Sequence, residues 1–365
     1  MALHASPLIR GFILIASIFA PTLAAAQPGD CHLIADNMER LACYDSTAPR
    51  SALRATPGVK EALSETPAVK DRMATATPVD QFAPREPERE RERTQSAFLN
   101  ESWELEPESK RGVFEIRPYK TLYIMPFSFT NNINKAPSSD AEGRTASPQE
   151  GLSRAEAKFQ FSLKTKVLEN LIGDNGDLWL GYTQSSRWQV YNKQLSRPFR
   201  ETNYEPEAML IFRTNYEILG FKGTMAGVGV NHQSNGRAEP LSRSWNRVIA
   251  QAGFERDDWM VILRPWWRMP ENGGADDNPG IENYMGRGDM TVARKWHDQV
   301  FSLKARHSLR GGENSRGSAQ LAWSFPLTGD LKGYMQLFSG YGESMIDFNV
   351  KQTAIGLGFS MLDIY

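Results

Sequence analysis

From Tyr119 onward, hydrophobic and polar side chains alternate with a period of two. In "AKFQFSLKTKV", Phe159, Phe161, Leu163 and Val167 share one parity with Thr165, while Lys158, Gln160, Ser162, Lys164 and Lys166 take the other. "LWLGYTQSSRWQV" groups Leu178, Leu180, Tyr182, Trp188 and Val190. "TAIGLGFSM" sets Ile355, Leu357, Phe359 and Met361 against Ala354, Gly356 and Gly358. Such alternation marks strands with two unlike faces. The runs lie near 119–128, 157–168, 177–191, 205–214, 217–234, 242–254, 257–267, 288–296, 299–308, 317–326, 330–340 and 351–361. Many reach the ~9–11 residues that a tilted strand needs to cross a bilayer. About twelve such runs, an even number with aromatics near their ends and a terminal Tyr365, predict an all-β fold: a transmembrane antiparallel barrel over 112–365.

The first 111 residues follow other rules. Arg10, the apolar run "GFILIASIFA" and small residues at Ala24 and Ala26 make residues 1–26 a secretory signal peptide. The apolar run falls short of the ~20 residues of a spanning helix. Cys31 and Cys43, the only cysteines, sit in a short segment, 27–50, and in an oxidising compartment are expected to form one disulfide. Residues 51–111 pass from Ala, Pro and Thr to the mixed charge of "REPERERERT", which reads as a disordered linker. A mean hydropathy of −0.48 argues against a bundle of membrane helices. A net charge of −1 offers no bulk attraction for nucleic acid.

One stretch carries chemistry. "NHQSNGRAEPLSRSWNR", from Asn231 to Arg247, sets His232 two residues before Ser234 and ends beside Asn246. No G-x-S-x-G turn is present; the nearest string, Glu313 to Gly317, lacks the first glycine. On the strand "GTMAGVGVNHQS", His232 and Ser234 share parity with Thr224, Ala226, Val228 and Val230, the lipid-compatible side. Asn246 shares parity with Val248, Ala250 and Ala252 on the next strand. A nucleophile Ser234, a general base His232 and an orienting Asn246 would therefore lie on the outer wall. A neutral amide stabilises an imidazolium less than a carboxylate does, so the oxyanion needs further help. Gln184 also stands out as an amide on an outward, apolar parity, costly in lipid unless paired across an interface. His4, His32, His297 and His307 have no such company and are read as structural.

In "NHQSNGR", "SRSWNR", "PFRETNYEPE", "DDNP" and "SGYGES" the chain resembles the outer-membrane phospholipase A family of Gram-negative bacteria, over about Gly112 to Tyr365. The resemblance implies a twelve-stranded barrel in the outer membrane that hydrolyses phospholipid acyl esters, with A1, A2 and lysophospholipase activities, as a calcium-dependent homodimer. It implies the same roles for Ser234, His232 and Asn246, and an oxyanion donor in the backbone N–H of Gly236. It implies Ca2+ ligands at Arg237 (carbonyl) and Ser242 (hydroxyl), with the carbonyl of Ser196 supplied by the other subunit. Asp277 matches a ligand of the monomer's site, and Gln184 matches a glutamine of the dimer interface. Glu239 stands where an aspartate is usual, and the cysteine segment and linker look like additions. Two other readings stay open: a porin or adhesin barrel without enzymatic activity, and a secreted soluble esterase. The inward parity, with Lys158, Lys164, Arg247 and Gln251, suggests a filled polar lumen rather than an open pore.

Overall fold

The computed structural model describes residues 31, 34, 36, 39, 40, 43, 98–272 and 276–362. The chain divides into two units, Met1–Val79 and Asp80–Tyr365. In the first, Cys31 and Cys43 form the expected disulfide, with Cα atoms 5.7 Å apart. The signal peptide, residues 51–97 of the expected linker and Tyr365 lie outside the described residues.

The alternation of the second unit resolves into β1 (Ile116–Pro118), β2 (Leu122–Thr130), β3 (Ala155–Leu168), β4 (Asp177–Trp188), β5 (Phe199–Ile218), β6 (Phe221–Ser234) and β7 (Ser244–Arg256). It continues through β8 (Trp259–Arg268), β9 (Gly288–Trp296), β10 (Gln299–His307), β11 (Gly317–Thr328), β12 (Leu331–Gly340) and β13 (Gln352–Leu362). Neighbours in sequence pair antiparallel from β3 to β13, and β13 pairs with β2 to close the ring. Both β1 and β2 pair with β3, at Leu163–Thr165 and Ala155–Gln160 respectively, so they are two halves of one broken strand. The result is the expected closed twelve-stranded barrel. The break has a cause: Pro118 cannot donate to a ladder, and Lys120 turns inward to pair with Glu205 at 2.9 Å and Glu207 at 3.0 Å.

Strand parity separates the two faces as expected. Phe161, Leu180, Val228, Val230, Leu321, Leu337, Ile355 and Leu357 are exposed on the outside, with Phe127, Tyr204, Trp267 and Trp296 among them. Inside, Lys158, Lys164, Arg247 and Gln251 are all buried. Burying a charge is costly unless it is paired, and the lumen is organised accordingly: Arg264 meets Glu207 at 2.6 Å and Arg247 meets Glu205 at 3.0 Å.

The two ends differ. At one, Leu219–Gly220, Asp257–Asp258, His297–Asp298 and Gly329–Asp330 make two-residue turns. Leu219 and Gly220 both have positive φ, 54° and 79°, as a tight hairpin with right-handed twist requires. His297 belongs to such a turn, which gives it a structural place. At the other end run the longer segments 131–154, 189–198, 235–243, 269–287 and 341–351.

Residues 98–111 correct the expected linker. They are folded, beginning with the helix α1 (Phe98–Trp103), whose Leu99 and Trp103 are buried. Leu99 donates its N–H to Glu255 at 2.8 Å and packs where Gly253 lacks a side chain; a Cβ there would meet Leu99 Cδ1 at 2.6 Å. Trp103 lies edge-on to Tyr119 and Trp179, 5.7 Å from each, with Lys164 Nζ 3.3 Å from its ring centre. Phe98, Leu99, Trp103 and Leu105 are too few, and too mixed with charge, to show a helical period in sequence.

Candidate active site on the outer wall

β6 and β7 form a hairpin whose register sets His232 directly opposite Asn246 and Ser234 opposite Ser244. Opposed side chains on one face of an antiparallel pair lie within reach of each other. His232 Nδ1 and Asn246 Oδ1 are 2.8 Å apart. His232 is exposed, and Ser234 and Asn246 are half-buried on the same outward face, at the long-loop end. The expected trio is thus brought to one patch, with the other ring nitrogen, Nε2, as the atom a base would offer to Ser234.

A fourth side chain joins them. Asn246 Nδ2 donates to Glu271 Oε1 at 3.0 Å. The strand ladder leads to it: β7 and β8 remain paired up to Arg247 and Arg268, and Met269 then donates its N–H to the Asn246 carbonyl at 2.8 Å. Glu271 follows two residues later. Burial pushes its carboxyl up from the ordinary range, opposed by Arg268 and the Asn246 hydrogen bond and reinforced by Asp276 and Asp277. No motif around Glu271 announces this role in sequence.

The turn after Ser234 is built around buried Asn235. Its side chain donates to the Leu241 carbonyl at 2.8 Å and accepts the N–H groups of Arg243 at 3.0 Å and Arg237 at 3.3 Å. Gly236 takes a φ of 60°, and a Cβ there would lie 3.0 Å from the Tyr204 ring. Glycine therefore lets the backbone fold tightly beside Ser234.

Of the residues expected around calcium, Ser242 and Asp277 meet: the hydroxyl donates to Asp277 Oδ2 at 2.5 Å. Ser139 donates to the Asp277 carbonyl at 2.6 Å. Arg144, from segment 131–154, bridges Asp277 at 2.8 Å and Glu239 at 2.9 Å. The hydrogen bond to Asp277, with Glu239 adding, pushes its guanidinium up. Among the described residues no group of three His, Cys, Asp or Glu is placed to hold a metal ion. A carboxylate with hydroxyl and carbonyl oxygens nevertheless suits a hard cation that keeps several waters, and Arg144 marks the spot as one that draws positive charge. Arg237 is exposed in the same turn. Ser196 is exposed on the separate hairpin between β4 and β5.

Gln184 is outward and half-buried, and accepts from the Tyr182 hydroxyl at 3.2 Å. Register adds what spacing in sequence did not reveal. Gln184 pairs with Tyr204, Tyr204 with Ser234, and Ser234 with Ser244, in one row across four strands. Two strand spacings put Gln184 about 10 Å from Ser234 along the wall. His307 instead accepts the Leu309 N–H at 3.0 Å and lies 3.2 Å from Ser315, a local structural role.

The fold and sequence have counterparts among known proteins. The family model for phospholipase A1 matches residues 99–361. A relative in Neisseria meningitidis serogroup B is 37% identical over 98% of this chain and 95% of its own length, so the cysteine segment and linker are not additions peculiar to this chain. Phospholipase A1 of Escherichia coli K12 is 38% identical over 69% of this chain and 83% of its own. Among solved structures, outer membrane phospholipase A from Escherichia coli is 38% identical with a TM-score of 0.62, covering 69% of this chain and 100% of that one. The Salmonella typhi outer membrane phospholipase dimer with bound calcium is 36% identical with a TM-score of 0.63, covering 70% and 95%. A third structure, 37% identical with a TM-score of 0.62 over 70% and 95%, is an asparagine-to-alanine active-site mutant of the Escherichia coli enzyme. By fold and by sequence, the chain belongs to the phospholipase A1 family.

Proposed function

We propose that this chain hydrolyses phospholipid acyl esters, with A1, A2 and lysophospholipase activities, from a Ser234–His232–Asn246 triad on the lipid-facing wall of an outer-membrane barrel. The observation that carries the reading is the 2.8 Å His232–Asn246 pair on the same outward face as Ser234. With Asn246 Oδ1 holding the Nδ1–H tautomer, Nε2 takes the Ser234 proton as Oγ attacks the ester carbonyl. The negative charge that forms on the carbonyl oxygen is met by the Gly236 N–H. His232 then returns the proton to the departing alcohol oxygen. Water, deprotonated by the same imidazole, releases the fatty acid from Ser234.

Ser242 and the Arg237 carbonyl would hold calcium beside this centre, with Asp277 a ligand of the monomer's site. When bound the ion supplies positive charge for the oxyanion that a neutral Asn246 leaves underprovided. In a dimer the Ser196 carbonyl of the other copy completes the set, so a monomer has the triad without its full electrostatic support. A dimer contact at Gln184 would lie against the catalytic strip, a reading supported by its place in the same row as Ser234. Short turns face the periplasm and long loops the exterior in barrels of this kind, which puts the site in the outer leaflet. The inner ion pairs argue against a porin.

Hydrolysis by refolded wild type and Ser234→Ala in detergent micelles, with calcium and then chelator, tests the reading. Wild type is expected to need calcium, and the variant to lose activity on the order of 10^4-fold or more. A folded wild type that is inactive with calcium sinks the proposal, and conductance in planar bilayers then tests the porin alternative.

A further inference from the structure

Resting on the triad reading, we infer that Glu271 is a positioning residue for this reaction, which fixes the tautomer of His232 through Asn246. An asparagine side chain has a donor end and an acceptor end, and rotating it by half a turn exchanges them. If the amine end faced His232, the imidazole would have to accept at Nδ1 and carry its proton on Nε2. That tautomer cannot remove a proton from Ser234. Something must therefore choose the orientation of the Asn246 amide.

Glu271 makes the choice. An ionised carboxylate only accepts hydrogen bonds, so its place 3.0 Å from one end of the amide makes that end the Nδ2 donor. Oδ1 is then left for His232, 2.8 Å away, where it requires Nδ1–H. The free lone pair falls on Nε2, the atom the mechanism needs. The carboxylate also polarises the amide and increases the electron density on Oδ1, so that a neutral residue gains part of the effect of an aspartate. Its setting suits the task. Glu271 is half-buried, Arg268 is held by Asp276 at 2.6 Å and Glu282 at 3.3 Å, and the Met269 N–H anchors the chain at the Asn246 carbonyl.

Two measurements on the full-length refolded protein test the inference. Glu271→Ala is expected to lower kcat about tenfold with KM nearly unchanged, and to add nothing in an Asn246→Ala background, because residues acting as one unit are not additive. In wild type labelled with 15N-histidine, the His232 signal is expected to report the Nδ1–H tautomer, and in Glu271→Ala a mixture of both. Unchanged kcat and tautomer in Glu271→Ala would overturn the inference. So would a loss that multiplies fully with Asn246→Ala, since that outcome assigns Glu271 a role in loop structure alone. An inactive wild type would instead count against the triad reading itself.

Discussion

The two ends of the barrel solve the same problem by different means. At the turn end, one short segment that precedes the first strand fills the lumen. Glu104 is fully buried and is met by Lys166 at 3.0 Å, by Arg111 at 3.1 Å and by Arg117, while Lys166 also reaches Asp177 at 3.1 Å. The Trp179 ring lies against Lys166 and Arg117, and Trp103 and Tyr119 lie against Lys164. At the loop end, the segment 341–351 brings two carboxylates onto strand residues. Glu343 takes Lys158 at 2.7 Å and Arg187 at 2.5 Å, and Arg200 links Glu156 at 2.7 Å to Asp347 at 2.8 Å. At the turn end Glu104 gathers three cations, with Asp177 and Glu169 sharing Lys166; at the loop end Glu343 and Asp347 of one loop and Glu156 of β3 divide the strand cations among them. The first arrangement makes a stopper, and the second a frame for chemistry.

The contrast is sharpest when broken at Glu104. Glu104→Ala strips buried Arg117 of its close carboxylate and Lys166 of one of its three, and removing one partner of a buried pair typically costs about 3–5 kcal/mol. Urea unfolding followed by tryptophan fluorescence should show that loss, with hydrolysis by the still-folded protein unchanged; equal stability would mean that the plug does not support the barrel. Acid gives the same test without mutation. Burial raises the Glu104 carboxyl, but hydrogen bonds from Lys166, the Arg111 N–H and Arg117 outweigh it and leave it lowered. A lowered folded value stabilises above the ordinary carboxylate range and is lost as pH falls through that lowered value. Wild type is thus expected to lose stability in acid more steeply than Glu104→Ala.

At the loop end a smaller effect is expected from Arg144→Ala. Removing the guanidinium from Asp277 and Glu239 takes away the cation that competes for them, so calcium should bind about tenfold more tightly. Titration calorimetry of the refolded protein reads this directly; weaker binding would mean that Arg144 holds the site together instead of competing for it. The smallest effect belongs to the exposed pair Lys135–Glu150, 2.7 Å apart in the same loop as Arg144. Lys135→Ala should change stability by no more than about 0.5 kcal/mol in the same urea assay. A larger loss would show that segment 131–154 is anchored from its surface.

Sequence carried most of the barrel, because a wall with lipid-compatible and polar faces prints its period of two into the chain. It failed where the inner face is charged and the outer face mixed. β5 begins at Phe199, earlier than the alternation suggested, since Glu201, Asn203, Glu205 and Glu207 point inward opposite Thr202, Tyr204 and Pro206. Hydropathy cannot separate those two sides. His232, Ser234 and Asn246 were legible because hairpin neighbours stay close in sequence. Glu271 reaches Asn246 across the next strand and through a loop, and Arg144 reaches Asp277 over a separation of 133 residues. Such contacts arise where loops fold back on the strand ends and leave no local trace.

Under the proposed triad, the placement of His232 and Ser234 on the outer wall also changes what concentration means for the reaction. A soluble hydrolase samples substrate per volume of water. A catalytic strip facing the bilayer samples the number of ester groups per unit area of its own leaflet. Diluting the suspension with buffer leaves that quantity untouched, whereas mixing inert lipid or detergent into the surface lowers it. Where Gln184 supports pairing, two copies also search for each other in the plane that holds their substrate, so the same surface dilution separates enzyme from partner and enzyme from lipid at once.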